Sequence, residues 1–491
     1  MESIRLKNYR CFKDTGCINL KPINLLLGAN SSGKSSLLKF FPLLKQSMGI
    51  RLNGVFRWLG NDVDFKDFKN TVLKGENEIE IEYKIEKLPL LMRIQSTKMI
   101  LRNIVVSFTI VAKDDHFDRM TKLSLRYGET KIDIFYDEGK KTEIIVNGES
   151  TKQMNGLEIS NHRVDATFER LFFKYKGNSY SHYPSIYLER IIQITKNIDG
   201  CLSQRRNHRI FEVFPFDYDS FKRGIWGINK KEVDESILQA LFRNATIYNI
   251  NVLIDSLNIY LIRFSEKVVY VKPLRATIER YYRFQNLDMD DIDSDGTNLP
   301  MFLYNIPTIA LEELRIWLRD LFKLDIKINP LEGHIELLLS ENLKEYRNPV
   351  DLGFGYTQLL PILVIIWKTV FLDANRSSKK NKTFFDNIVL IEQPELHLHP
   401  RFQKKFAYML SAMVALCKQL ELNVKFIVET HSESILNSLG ENVENELISS
   451  EDINVLLVEQ DIRGISNITS TSYTETGYLE NWPKHFLEDV D

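Results

Sequence analysis

Eight residues, Gly28-Ala29-Asn30-Ser31-Ser32-Gly33-Lys34-Ser35, follow the apolar run Ile23–Leu27 and precede a segment with apolar residues at Leu37, Leu38, Phe41 and Leu44. Two glycines, a lysine and a hydroxyl at this spacing are what a phosphate-binding loop needs between a buried strand and a helix. Gly28 and Gly33 free the backbone, so that N–H groups from Asn30 and Ser32 to Ser36 can wrap phosphate oxygens. Lys34 then reaches the β- and γ-oxygens, and the Ser35 hydroxyl can ligate a magnesium ion. ATP and Mg2+ are the ligands this chemistry implies. A chance glycine turn would explain neither the strand before the motif nor the helix after it.

Such a loop creates a demand for an acid on another strand. Ile388–Ile391 followed by Glu392 fits well, with Glu392 placed to hold Mg2+; the plainer alternative is that Glu392 and Glu395 solvate a strand end. His397 and His399 beside Glu395 have the H-x-H spacing of a metal site, but no further ligand cluster accompanies them. Gln46, on the helix after the loop, is a candidate Mg2+ ligand and Arg10 a candidate nucleotide contact; both are equally readable as packing or surface residues.

These residues need a scaffold. Period-two alternation at 79–85, 104–111 and 131–146 predicts an antiparallel lobe. From Leu157 to Tyr270 the pattern turns helical and irregular. Asn286–Asn298 reads as an acidic surface loop, Thr308–Phe322 as a helix and 326–339 as a hairpin turning at Glu332-Gly333. The last third alternates helix from about Thr357, strand 388–391, helix 401–420, strand 424–429, helix 433–439 and strand 453–459, which predicts a parallel α/β layer. The expected division is 1–150, an N-terminal lobe with the phosphate loop; 151–345, an inserted helical and mixed region; and 346–491, a C-terminal lobe.

The 491 residues are 44% hydrophobic and 26% charged, ordinary for a globular chain. With 64 basic against 66 acidic residues the net charge is −2, so no overall field draws the molecule to nucleic acid, and any DNA contact must be local. Arg205-Arg206-Asn207-His208-Arg209 is the candidate for it. Cys11, Cys17, Cys201 and Cys417 show no zinc spacing and are expected to be reduced, buried thiols. The N-terminus MESIRLKNYR has no apolar core of a signal peptide, and the run Leu359–Trp367 falls short of a membrane span, so a cytoplasmic chain without membrane attachment is expected.

Five motifs in order carry a resemblance: Ile4-Arg5-Leu6-Lys7-Asn8-Tyr9-Arg10-Cys11-Phe12, the phosphate loop, Asp351-Leu352-Gly353-Phe354-Gly355-Tyr356-Thr357-Gln358, Glu392-Gln393-Pro394-Glu395 and Glu429-Thr430-His431-Ser432. Together they resemble ABC-type ATPases of the SMC, RecF and OLD group. The stretches IEQPELHLHP, VKPLRATIERYYR and GYLENWP are similar to bacterial ATPases with AAA_15 and DUF3696 type domains, among them the Septu and PARIS ATPases of antiphage systems. The resemblance implies an α/β P-loop NTPase of ABC-ATPase type with a mixed sheet, an antiparallel β lobe and an inserted, mainly helical region.

For individual residues it implies that Gly353, Gly355, Thr357 and Gln358 form the signature that caps the γ-phosphate bound by another copy, with Thr357 in place of the usual serine. His431 would be the switch histidine at the γ-phosphate, and His397–His399 would lie in the loop crossing the dimer interface. Gln393 stands where the family has its catalytic glutamate; an amide cannot accept a proton, although it can orient water, and Glu395 is the nearest replacement. General-base help is worth about 10²- to 10⁴-fold, so slow hydrolysis is expected. The expected activity is that of an ATPase that dimerises head-to-tail on ATP, or forms a higher homo-oligomer, and serves a separately encoded effector in antiphage defence. A RecF-like, ATP-gated DNA-repair clamp and a non-hydrolysing ATP-binding protein are the rivals. Only 60 residues follow His431, too few for the Toprim nuclease of OLD proteins, so no nuclease of its own is expected.

Overall fold

The computed structural model describes residues 1–481 apart from 95–96, 115–116, 137–141, 152–156, 163–166, 176–184, 197–217, 230–232, 276–278, 285–288 and 374–385. The basic cluster Arg205–Arg209 and Cys201 lie outside the described residues. The chain forms two compact units, each discontinuous in sequence: residues 1–18 with 43–266, and 19–42 with 267–491. The phosphate loop therefore belongs with the C-terminal residues, not with the antiparallel strands that follow it. Within each unit, strand pairing joins segments that are far apart in sequence.

The second unit is built on five parallel strands in the order Ile453–Gln460, Ile23–Leu27, Val424–Glu429, Asn387–Glu392 and Val268–Val271. Each is a nearly continuous apolar run, as strands covered on both faces must be. A sixth, Ser466–Thr471, adds antiparallel to Ile453–Gln460, so the layer is mixed rather than wholly parallel. Its sequence SNITST is polar and half exposed, which hid it from an apolar-run reading.

Helix Pro400–Gln419 buries Phe406, Leu410 and Val414, and helix Glu433–Glu444 buries Ile435 and Leu439 in the same core as Leu25, Ile391 and Val428. Ser432 caps the second helix by accepting from the Ile435 N–H. Helix Phe354–Trp367 is apolar nearly all round, the pattern of a buried helix. By length and composition the stretch Gly355–Asp373 is apolar enough to cross a membrane, but 78% of it is buried, which marks it as a core helix. Helix Thr308–Phe322 and the hairpin Leu324–Leu331 with His334–Glu341 form where the sequence predicts them.

The first unit carries an antiparallel ladder: Ser3–Tyr9, Glu78–Ile94, Thr97–Ala112, Asp118–Tyr127, Thr130–Phe135 and Glu143–Val146. Alternate side chains such as Ile79, Ile81, Tyr83 and Ile85 are buried, and Phe108 meets Phe56, Tyr83 and Phe168 edge-on or tilted. The region after Leu157 opens with a hairpin, Leu157–His162 paired with Arg170–Tyr175, before the helices expected there. Ser160, Asn161 and His162 blur its alternation in sequence. Cys17 is exposed and Cys11 half-buried, so the expectation of buried thiols holds only for Cys417 among the described cysteines.

Candidate active site

All five parallel strands point their C-terminal ends to one edge, where open α/β sheets bind ligands. The phosphate loop leaves Ile23–Leu27 there. Gly28 has φ 144°, and a Cβ at that position would stand 2.1 Å from the Val458 carbonyl oxygen, so no side chain fits. Gly33, at φ 111°, turns the chain into the helix Lys34–Leu38. Lys34 is almost wholly buried, and its Nζ donates to the carbonyls of Gly28 (2.9 Å) and Ala29 (2.7 Å). Its ammonium is thus folded back on the loop that it would leave to reach a phosphate. Burial lowers the Lys34 pKa, with Glu429 and Glu395 opposing that shift. Asn30 is exposed, Ser36 half-buried, and the Ser32 carbonyl accepts from the Ser466 hydroxyl.

Three carboxylates gather at the neighbouring strand ends. Glu392 and Glu429 are register partners on adjacent parallel strands, both about 97% buried. Glu392 Oε1 accepts from the Tyr270 hydroxyl at 2.7 Å and lies 3.8 Å from Lys39 Nζ. Glu429 Oε1 accepts from the Ser35 hydroxyl at 2.9 Å. Glu395 accepts from the His431 N–H (2.7 Å) on one oxygen and from the Thr430 hydroxyl (2.9 Å) on the other. Burial raises all three carboxyl pKa values above the ordinary range. Glu395, expected as a replacement base, therefore spends both oxygens fixing the turn that carries His431. The imidazole itself is pushed down to about 4 by burial and by the nearby Lys34, which keeps it neutral at neutral pH.

Gln393 sits at φ 44° just past its strand. Its N–H donates to the Glu429 carbonyl at 2.8 Å. From the other side Arg275, 5% exposed, donates through Nη2 to the carbonyls of Glu392 (2.8 Å) and Gln393 (3.2 Å). The Arg275 carbonyl in turn accepts from the Gln358 side chain at 3.2 Å. Gln358 and Thr357, both 2% exposed, lie on the helix opened by Gly353, whose φ is 102°. A Cβ on Gly355 would come within 3.0 Å of the His397 carbonyl oxygen.

The other expected residues have partners of their own. His399 caps the helix Pro400–Gln419, its Nδ1 accepting from the Arg401 N–H, and no group of three metal-ligating side chains occurs among the described residues. Gln46 donates to the carbonyls of Arg57 and Val63 and accepts from the Val63 N–H, so its amide is engaged with the 57–63 loop. Arg10 donates to the Asn70 carbonyl and lies 4.8 Å from the Phe65 ring centroid. The sequence assigns no individual role to Glu429 or Arg275, although both fall in the stretches that carry the resemblance, and does not mark Lys39 or Tyr270 at all. A signal existed for two of them: Glu429 ends an apolar strand as Glu392 does, and Arg275 follows the strand Val268–Val271.

The AAA ATPase domain family AAA_15 matches residues 1–303 and 307–436, most of the chain. The chain belongs to that family. Among solved structures this AAA_15 chain is similar to the SMC head domain from Thermotoga maritima (10% identity, 95% of this chain and 97% of that one, TM-score 0.34). It is also similar to an Smc head with an extended coiled coil from Pyrococcus furiosus (13%, 96% and 96%, 0.35) and to the recombination mediator RecF (13%, 95% and 97%, 0.28). No curated protein matches it. As an AAA_15 ATPase domain it implies a nucleotide and a divalent cation, and its residues fit both. The Lys34 ammonium donates to two loop carbonyls, and one oxygen of Glu429 is buried with no hydrogen-bond partner among the described residues.

Proposed function

We propose that this ATPase domain is an ABC-type switch. ATP bound by Lys34, Ser35 and the N–H groups from Asn30 to Ser36 is closed over by Gly353–Gln358 of a second copy, which makes assembly depend on the γ-phosphate. The observation that carries this reading is the convergence of the Lys34 loop with Glu392, Gln393, Glu429 and His431 at one strand edge. Within it, loop N–H groups and Lys34 neutralise phosphate charge, and neutral His431 offers a donor near the γ-phosphate. Gln393 orients the attacking water without accepting its proton. Mg2+, when bound, draws charge from the phosphate oxygens; Ser35 and the acids opposite it are the residues that would hold it.

Slow hydrolysis with a long-lived ATP-bound assembly follows from the amide at 393. A sensor or scaffold that holds a separately encoded effector, in antiphage defence, is the setting that suits such a timer. Single-turnover hydrolysis at high enzyme concentration tests the enzymatic part. Lys34→Ala is expected to weaken ATP binding by about 10- to 100-fold, the loss of one charge-assisted contact, and to abolish turnover. Light scattering with and without ATP tests assembly, and copurification of the native operon tests the effector. ATP binding with no change of mass, or no partner in either nucleotide state, would remove those parts of the proposal.

A further inference from the structure

The carboxylate in contact with the phosphate-loop hydroxyl is not Glu392. Strand order explains why: Val424–Glu429 lies directly beside Ile23–Leu27, and Asn387–Glu392 is one strand further out. Glu429 Oε1 accepts the Ser35 O–H at 2.9 Å, whereas Glu392 Oε1 takes the Tyr270 hydroxyl and faces Lys39. Both oxygens of Glu395 are also taken. Glu429 Oε2 is buried and has no hydrogen-bond partner among the described residues. An anionic oxygen left that way is costly unless something absent from the protein itself completes it.

A hard divalent cation matches what is left over: a carboxylate oxygen and a hydroxyl oxygen side by side. Among the described residues no cluster could hold such an ion alone, which is how Mg2+ sites shared with nucleotide phosphates are built. We propose that Glu429, together with Ser35, is the carboxylate that holds the cation of the bound nucleotide, a role the sequence reading gives to Glu392. Ser35 keeps its proton on Oε1, and Oε2 turns to the ion. Glu392, tied to Tyr270 and Lys39, is then a charge-balancing neighbour. This assignment rests on the nucleotide-binding reading above.

Mn2+ as the probe, with ADP as the nucleotide, separates the two acids. Free and bound Mn2+ are read by electron paramagnetic resonance on the full chain, and metal-free nucleotide binding is read by a fluorescent ADP in EDTA. Glu429→Gln is expected to weaken Mn2+ binding to the ADP complex by about 10- to 100-fold while leaving metal-free ADP binding intact. Glu392→Gln should move Mn2+ binding far less. Glu429→Asp, which keeps the charge, should recover part of the loss and guards against a packing artefact. Undiminished Mn2+ binding in a folded Glu429→Gln protein, or a larger loss in Glu392→Gln, overturns the assignment alone. No ADP binding by the unchanged chain overturns the nucleotide reading, and the cation site with it.

Discussion

Arg275→Met is expected to destabilise the second unit by about 3 kcal/mol, because two carbonyls lose a charged donor in a buried place. The methionine fills much of the volume, so the effect reports the lost Nη2 donor more than a cavity. Arg275 also faces Glu392 and Glu395, and burial has lowered its own pKa to about 10, so it remains charged throughout the physiological range. The loss should therefore depend on pH. Carboxyls whose folded pKa is raised bind protons more readily when folded, so each makes folding less favourable as pH climbs past the ordinary value of 4.5. Removing Arg275 raises those folded values further. The gap between variant and parent in chemical unfolding should thus widen from pH 5 to pH 8; a constant gap would mean that Arg275 acts by packing alone. Gln358→Leu, which releases only the Arg275 carbonyl, should cost about 1 kcal/mol. If Arg275 also relays signature engagement to Gln393, Gln358→Leu will slow turnover more than that small loss of stability explains.

What the sequence discloses here is what local pattern can encode. Gly28–Ser35 is legible because strand, glycines, lysine and helix are contiguous, and strand Val424–Glu429 because its apolar run is bounded by charge and by His431. The role of Glu429 is not legible, since it depends on which strand lies beside Ile23–Leu27, and nothing local fixes strand order. Nothing local in VKPLR marks Arg275 as buried, and only the pairing of Val268–Val271 with Ile388–Ile391 brings it under Gln393. Gln46 illustrates the converse. The helical period from Ser35 to Gln46 looks continuous, yet the helix breaks at Lys39 into Lys34–Leu38 and Phe40–Ser47, and Gln46 falls in the first unit with the 57–63 loop.

Gln393→Glu is expected to raise single-turnover hydrolysis by about 100-fold at pH 8, the lower end of what a general base supplies. The geometry favours a clean test. The backbone of Gln393 is pinned on both sides, by its N–H on Glu429 and its carbonyl on Arg275, and the exchange of amide for carboxylate is nearly isosteric. The added charge would join Glu392, Glu395 and Glu429, whose pKa values burial already raises, so the new carboxyl should also titrate above its ordinary range. The gain should therefore shrink toward pH 6, where part of the base stays protonated. Unchanged or slower turnover at pH 8 would mean that the proton already has an acceptor among the acids present. Glu395 is the poorest of these, with both oxygens holding the His431 turn. A gain that also shortens the lifetime of the ATP-bound assembly would tie the amide at 393 to timing: the chain would keep its nucleotide because it lacks one carboxylate, and supplying it would make the assembly transient.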